Sequence, residues 1–153
     1  MSAAANVEVL LVEDNPHDAE LTRLALARRD LADRIHRVED GAEALDFLFG
    51  RGAYRQRDVS VLPKLVLLDL KMPKVGGLDV LRALRQDSRT QEVPVVVLTS
   101  SGDHHDVAAA YALGVNGYVV KPVRFDELLE AVGCLGQYWL RINEPPPAPK
   151  VAT

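Results

Sequence analysis

The stretch 65-LVLLD-69, four apolar residues that run directly into an aspartate, decides the fold because three other apolar runs in the chain likewise end on a residue that can contact phosphate or metal. The other three stretches are 9-VLLVED-14, 95-VVVLT-99 and 118-YVVKP-122. Continuous Val and Leu runs of this length are typical of strands covered on both faces of a parallel sheet. In such a sheet, ligands bind in the crevice beyond the carboxyl ends of the strands. We therefore expect the polar residues that end the four runs to meet in one pocket.

The segments between these strands have apolar residues at the spacing of a helix. Asn15 followed by Pro16 is typical of a helix N-cap with proline in the first turn, and the apolar spacing continues to Arg28. Ile35 and Val38 indicate a short second strand. Further helices are predicted over residues 42–49, 78–84, 103–113 and 125–139. Alternating strands and helices joined by right-handed crossovers predict an α/β fold of the flavodoxin-like, doubly wound type, with a five-stranded parallel sheet in the order 2-1-3-4-5.

One folded domain accounts for nearly the whole chain. Its 153 residues suffice for one hydrophobic core and leave little for a second folded unit. We expect a flexible N-terminus over residues 1–6 and a single domain over residues 7–142. Residues 143–153 form a proline-rich tail that cannot continue a helix and is expected to be extended or disordered. The connection over residues 50–64 is long, so we interpret it as a candidate partner-contact loop.

Composition and charge argue against several classes of function. The chain has 22 acidic and 18 basic residues and a formal charge of -4, which argues against a nucleic-acid partner. Its only cysteine, Cys134, cannot form an internal disulfide. The start of the chain lacks the features of a signal peptide, and no apolar stretch approaches the about 20 residues needed to cross a bilayer. We expect a cytoplasmic protein with no membrane partner.

Three of the strand-ending residues are acids. Glu13 and Asp14 follow the first strand, and Asp69 follows the third. If the three carboxylates share one crevice, they repel each other unless a cation lies between them. Mg2+ prefers oxygen ligands and is usually held by one or two carboxylates. The acidic cluster therefore predicts a magnesium site.

The same pocket would hold the groups that phosphoryl transfer requires. The reaction needs a nucleophile, neutralisation of charge on the equatorial oxygens, and alignment. Asp69 can act as the nucleophile, Lys121 can neutralise charge, and the Thr99 hydroxyl can donate a hydrogen bond to a phosphoryl oxygen. The expected product is an acyl phosphate on Asp69. None of the histidines lies in a recognisable phospho-donor motif, so the donor should be another protein.

Four motifs in this order and spacing carry a resemblance to a known family. They are 12-VEDNP-16, 67-LLDLKMP-73, 95-VVVLTSSG-102 and 118-YVVKP-122. Together they resemble the receiver domain of two-component response regulators. The resemblance implies that Asp69 accepts a phosphoryl group from a histidine kinase. Glu13 and Asp14, with Asp69 and the backbone carbonyl of Lys71, would then hold the Mg2+.

The resemblance also implies how such a domain switches. In the family, the residue at Thr99 moves toward the phosphoryl group, and the residue at Tyr118 changes between outward and inward rotamers. Lys121 would pair with the acceptor or its phosphoryl group, and the bond between Lys121 and Pro122 is expected to be cis. Lys71 stands where many receivers carry Asn, a departure that leaves the carbonyl ligand intact but could alter dephosphorylation or partner contact.

Two further segments resemble a smaller group within this family. The stretches 47-FLFGRGAYRQRD-58 and 137-QYWLRINEPP-146 are similar to small stand-alone regulators paired with bacterial phytochrome histidine kinases. This implies a bacteriophytochrome as the cognate kinase and an unknown downstream protein as the target. Tyr138, Trp139, Leu140 and Ile142 are large apolar residues just before the tail, and they favour a homodimer over a monomer.

Two alternative functions stay open at this point. One is a receiver-like module that binds or dimerises independently of phosphorylation, against which the complete set of site residues argues. The other is an aspartyl-phosphate phosphatase of the haloacid dehalogenase type, which has a second acid at the position of Lys71. Nucleotide binding is disfavoured because no glycine-rich phosphate loop follows the first strand. We expect a signalling protein that hydrolyses its acyl phosphate slowly, and not an enzyme with rapid turnover.

Overall fold

Five strands alternate with five helices in the computed structural model, which describes residues 7–72 and 74–148. The strands are β1 (Val9–Val12), β2 (Ile35–Val38), β3 (Leu65–Leu68), β4 (Val95–Thr99) and β5 (Gly117–Val120). The helices are α1 (Pro16–Ala27), α2 (Gly41–Phe49), α3 (Gly77–Gln86), α4 (His104–Ala112) and α5 (Phe125–Gln137). A 3-10 turn at Gly52–Tyr54 follows α2, and a π-helical turn at Tyr138–Ile142 follows α5. Within the described ranges, no helix is long and apolar enough to cross a membrane.

All neighbouring strands pair in parallel in the order β2-β1-β3-β4-β5, which confirms the predicted flavodoxin-like fold. Val12 at the end of β1 is aligned with Leu68 at the end of β3. Leu68 is in turn aligned with Val97, two residues before the end of β4 at Thr99. Thr99 is aligned with Val120 at the end of β5. The residues that follow these strands therefore emerge together at one edge of the sheet.

The sheet is covered on both faces because successive strand residues point to opposite sides. On one side, residues such as Leu10 and Leu68 belong to a core that includes the inner faces of α2, α3 and α4. On the other side, residues such as Leu11 and Leu67 belong to a core that includes α1 and α5. Every residue of β1, β3 and β4 is buried. This is why these runs are apolar throughout and do not alternate with polar residues.

Helix α1 begins directly after the acidic pair because of its capping residue. The side-chain oxygen of Asn15 accepts hydrogen bonds from the backbone amides of His17 at 2.9 Å and Asp18 at 3.2 Å. Pro16 occupies the first helical position, where its missing amide needs no partner. The cap places the first turn of α1, with Asp18, beside the carboxyl end of β1.

Glycine is required where α3 starts. The backbone amide of Gly77 donates to the carbonyl oxygen of Leu70 at 3.0 Å. A Cβ atom on Gly77 would collide with the backbone carbonyl of Asp69 and with the Cα atom of Leu70. The helix therefore approaches the turn after β3 at backbone contact, and this packing fixes the backbone position of Asp69.

The connection between α2 and β3 is ordered by its side chains. The Tyr54 hydroxyl donates to Glu43 at 2.7 Å and lies 2.9 Å from Nε2 of His36 on β2. The His36 ring stacks on Phe47 with ring centroids 4.9 Å apart, and the Arg57 guanidinium lies 4.1 Å from the centre of the Phe47 ring. The connection is therefore held against the edge strand β2 and against α2. Its predicted role as a partner-contact loop stays a prediction.

Beyond α5, the chain packs against the amino ends of β3 and β4. Leu140 is buried, and Arg141 lies 3.7 Å from Glu8, just before β1. The residues from 144 to 148 have no regular secondary structure. Pro145 and Pro146 line a cavity together with Pro63 and Pro94. The prediction of a flexible N-terminus and an extended or disordered tail stays a prediction, and residues 1–6 and 149–153 lie outside the described residues.

Candidate functional site

The polar residues that end the strands gather in one pocket at the carboxyl edge of the sheet. Glu13 and Asp14 directly follow β1, Asp69 follows β3, Thr99 ends β4, and Lys121 follows β5. The carboxylate oxygens of the three acids lie within 4.8 Å of one another. The pocket therefore combines three carboxylates, one hydroxyl and one ammonium group, on loops that a buried sheet positions.

Lys121 is the centre of the charged contacts. Its Nζ atom lies 2.6 Å from Oε1 of Glu13 and 3.1 Å from Oδ2 of Asp18. The distance from Nζ to Oδ2 of Asp69 is longer, at 3.5 Å. Because only 12% of the Lys121 side chain is exposed, these attractions are poorly screened by solvent. The ammonium group is bonded to two acids while it faces a third.

The Asp69 carboxylate is oriented by donors on both of its oxygens. Oδ1 accepts a hydrogen bond from the Thr99 hydroxyl at 3.0 Å and from the backbone amide of Lys71 at 3.3 Å. Oδ2 faces the ammonium group of Lys121. The side chain is 12% exposed, so it is largely enclosed but still reachable from outside. These contacts hold the carboxylate in one orientation.

The three clustered acids fit a hard divalent cation. Glu13 is buried, Asp69 is half-buried and Asp14 is exposed, so the cluster extends from the interior to solvent. Carboxylate oxygens at this spacing suit Mg2+ or Mn2+, and the exposed side leaves space for the waters that Mg2+ usually keeps. The carbonyl of Lys71 as a further ligand stays a prediction.

Burial and charge act in opposite directions on the two closest partners. Burial is the largest effect on Glu13 and raises its pKa to about 7, although the hydrogen bond and charge of Lys121 oppose it. Burial lowers the pKa of Lys121, but the hydrogen bond and charge of Glu13, together with the charge of Asp69, leave that pKa raised. The ammonium group therefore stays charged at neutral pH. A divalent cation beside Glu13 would favour its ionised form.

The structure adds two residues that sequence reasoning missed. Asp18 contacts Lys121, and its position four residues after Asp14, on the same side of a helix start, is a signal that could have found it. Arg37 on β2 donates from Nε to the carbonyl oxygen of Glu13 at 3.0 Å and from Nη2 to that of Asp14 at 3.2 Å. It therefore fixes the backbone of the acidic pair. No sequence signal distinguishes Arg37 from other residues of an edge strand.

Thr99 and Tyr118 both contact Ser101 in the loop after β4. Thr99 is buried and bonded to Asp69, as described above. The Tyr118 hydroxyl donates to the backbone carbonyl of Ser101 at 2.7 Å, and the Ser101 hydroxyl is 2.6 Å from Asp106. These bonds connect the loop to β5 and α4. The predicted switching of Thr99 and Tyr118 stays a prediction.

The bond between Lys121 and Pro122 corrects one prediction. No peptide bond among the described residues is cis, so the expected cis bond is wrong. Before proline, the trans form is favoured by about 0.5–1 kcal/mol. The Lys121 amide continues the sheet by donating to the carbonyl oxygen of Thr99 at 2.7 Å, and from there the side chain reaches the acids with a trans bond.

Comparison with known proteins gives a family and several relatives. The family model described as the response regulator receiver domain matches residues 9–133. The response regulator Rcp1 of Synechocystis sp. is 36% identical over 132 residues, which cover 86% of this chain and 88% of Rcp1. The crystal structure of its Mn2+-bound form has a TM-score of 0.83 at 35% identity, covering 90% of this chain and 97% of that chain.

Two solved structures are similar over most of their length. The phosphorylated cyanobacterial phytochrome response regulator RcpA has a TM-score of 0.84 at 34% identity, covering 93% of this chain and 99% of that chain. The bacteriophytochrome response regulator RtBRR has a TM-score of 0.72 at 49% identity, covering 91% of this chain and 83% of that chain.

Proposed function

The chain belongs to the response regulator receiver family, and from this premise we propose that it accepts a phosphoryl group from a histidine kinase onto Asp69 and signals through protein contacts. The observation that carries the proposal is the environment of Asp69. One of its oxygens is held by Thr99, the other faces Lys121, and the acidic cluster adjoins it. The match to the response regulator Rcp1, which covers 88% of the length of that relative, also supports the proposal.

The proposed reaction is a displacement at phosphorus. A carboxylate oxygen of Asp69 forms a bond to the phosphorus atom of a phosphohistidine, the phosphorus–nitrogen bond breaks, and the imidazole leaves and takes up a proton. Thr99 is placed to donate a hydrogen bond to a phosphoryl oxygen, and Lys121 is placed to neutralise charge. Mg2+ held by Glu13, Asp14 and Asp69 would supply further positive charge to the phosphoryl oxygens.

Slow hydrolysis of the acyl phosphate is part of the proposal. Rapid hydrolysis requires an acid or base that activates water beside the phosphoryl group. Lys71 occupies the position two residues after the nucleophile, where phosphatases of the haloacid dehalogenase type have an acid. The domain therefore acts as a timed signal and not as an enzyme with rapid turnover.

We propose a kinase of the bacterial phytochrome class as the phosphoryl donor. The proposal is supported by the 49% identity to RtBRR and by the similarity to RcpA. It includes a cytoplasmic location, because ATP for the kinase is available there. The downstream partner is a protein that recognises the phosphorylated surface.

The proposal is tested by intact-protein mass spectrometry after incubation with acetyl phosphate, with and without Mg2+. We expect the wild-type protein to gain one phosphoryl group only when Mg2+ is present, and Asp69→Asn to gain none while it stays folded by circular dichroism. Labelling of Asp69→Asn would overturn the choice of acceptor. No labelling of the wild type when Mg2+ is bound would favour a phosphorylation-independent binding module. Transfer from a phosphorylated bacteriophytochrome kinase, compared with an unrelated kinase, tests the partner.

A further inference from the structure

Asp18 contacts Lys121 but has no part in the chemistry described so far. Its Oδ2 atom lies 3.1 Å from Nζ of Lys121, closer than the 3.5 Å that separates Nζ from Asp69. It lies outside the cluster of Glu13, Asp14 and Asp69 whose oxygens could share a metal ion. About a third of its side chain is exposed, at 35%. Asp18 therefore belongs to the environment of the lysine and not to that of the cation.

The three acids around the ammonium group match its three N–H donors. Glu13 and Asp18 lie within hydrogen-bond distance of Nζ, at 2.6 Å and 3.1 Å. When these two acids accept one hydrogen each, the third N–H is left for Asp69 at 3.5 Å. Glu13 is itself held by the backbone amide of Asn15 at 3.2 Å. The two bonded acids therefore define both the position of Nζ and the direction of its free hydrogen.

We propose that Asp18 is a positioning residue for phosphoryl transfer. Together with Glu13 it holds Nζ of Lys121 so that one N–H faces Asp69 and, after transfer, a phosphoryl oxygen. With Glu13 alone, the flexible lysine side chain and its ammonium group could turn away from the acceptor. The proposal rests on the proposed function, because it assigns Asp18 a role in the reaction of Asp69.

A helix-stabilising role is the competing explanation for Asp18. An acid in the first helical turn interacts favourably with the helix dipole, whatever lies beside it. Glu20 offers a matched control, because it lies on the same helix, carries the same charge and has a side chain that is 75% exposed. A change at Glu20, which lies beyond the first turn, alters the net charge by the same amount but leaves the contacts of Lys121 intact.

The first test measures the rate of phosphorylation by acetyl phosphate at saturating Mg2+, with thermal melts to show that each variant is folded. We expect Asp18→Ala to react about threefold to tenfold more slowly, since a misplaced group lowers the rate without abolishing the reaction. Asp18→Asn, which keeps an acceptor oxygen of the same size, should react at an intermediate rate. Glu20→Ala should match the wild type. An Asp18→Ala rate that equals or exceeds the wild-type rate would overturn the proposal.

The second test follows the Lys121 ammonium group by nitrogen-15 NMR without Mg2+ or phosphodonor. Nitrogen-bound protons held by two acids exchange slowly with solvent, so we expect faster exchange and a shifted signal in Asp18→Ala but not in Glu20→Ala. An unchanged signal in Asp18→Ala would overturn the contact itself. Failure of the wild type to be phosphorylated would contradict the proposed function, whereas equal labelling of wild type and Asp18→Ala would contradict only the role of Asp18.

Discussion

His36 and Glu13 are titratable residues whose pKa values are moved in opposite directions. Burial lowers the pKa of His36, with the charge of Glu43 opposing this effect and that of Arg57 adding to it. Burial raises the pKa of Glu13 to about 7. The unfolded chain therefore binds more protons than the folded protein at His36, and fewer at Glu13. As the pH falls through the normal pKa of histidine, His36 lowers the free energy of unfolding, because the folded protein resists protonation there. Glu13 acts in the opposite direction, since its contribution to the free energy of unfolding is lost as the pH rises toward its raised pKa.

Replacing His36 should remove its contribution to the pH dependence of stability and leave that of Glu13. We expect wild-type stability, relative to His36→Gln, to fall as the pH is lowered from about 7 to about 5.5, because the neutral ring bonds Tyr54 and must be protonated at a cost. Urea unfolding followed by circular dichroism at several pH values measures this difference. His17→Gln, a change at an exposed histidine, is the control. Parallel pH curves for wild type and His36→Gln would contradict the expectation.

The site residues differ in how far the sequence can predict them. Asp69 and Lys121 each end a continuous apolar run, so the position of each within the fold follows from the strand pattern. Asp18 lies on a helix, and its contact depends on where the cap at Asn15 places the first turn. Arg37 reaches the acidic pair only because β2 is aligned beside β1. Contacts that depend on how two elements are aligned with each other therefore cannot be predicted from the sequence pattern of either element.

At the scale of elements, α3 and the turn after β3 act as one unit. The start of the helix touches the backbone of Asp69 because Gly77 has no side chain. The neighbouring Gly76 is different, since a Cβ atom there would have only ordinary contacts of 3.8 Å. The two glycines therefore separate a requirement for close packing from a general effect of glycine in a helix start.

Gly77→Ala should lower both stability and phosphorylation. The added methyl group must displace the backbone of Asp69 or Leu70, and overpacking of this kind typically costs about 1–3 kcal/mol. We expect a lower urea midpoint and slower labelling by acetyl phosphate. Gly76→Ala is the control and should change neither quantity appreciably. Equal behaviour of the two variants would show that close contact at α3 does not position the acceptor.

The elements of the fold were predictable to different degrees for physical reasons. The strands β1, β3 and β4 are buried on both faces, so their sequence cannot be anything but apolar. The strand β2 lies at the edge and is largely half-buried, and its pattern is correspondingly weak. The order of the connection after α2 could not be predicted, because it depends on side chains of Tyr54, Glu43 and His36 that lie far apart in sequence. The trans bond before Pro122 could not be predicted either, because the sequence pattern does not distinguish cis from trans, and the cis form was expected only from the family resemblance.

At the scale of the whole molecule, most of the large exposed apolar side chains among the described residues lie in two regions, with Leu24 and Val61 outside both. Val120 ends β5, and Val123 and Phe125 lie between β5 and the first turn of α5, so these residues adjoin the carboxyl edge of the sheet, whereas Tyr111 lies near the end of α4. Tyr138 and Ile142 lie in the π-helical turn beyond the end of α5. The second contains two of the residues from which the sequence predicts a homodimer, and that dimer stays a prediction.

Ile142→Glu should weaken a dimer without disturbing the fold. The Ile142 side chain is 67% exposed, so a carboxylate there costs little in the monomer but is unfavourable in an apolar contact. We expect light scattering to give the mass of a dimer for the wild type and a lower average mass for Ile142→Glu. Val123→Glu, at a fully exposed position in the other region, should keep the wild-type mass. A monomeric wild type, or a dimer broken only by Val123→Glu, would contradict this interface.

The cavity lined by Pro145 and Pro146 also has a practical consequence. It lies at the amino ends of β3 and β4, whereas Asp69 lies at the carboxyl end of β3, so the length of the strands separates the two. A fluorescent reporter or a surface tether grafted directly after Ala148 would therefore project away from the acceptor. Immobilised in this way, the protein would keep its reactive edge open to a kinase supplied in solution, so that docking could be timed by surface plasmon resonance without blocking the chemistry.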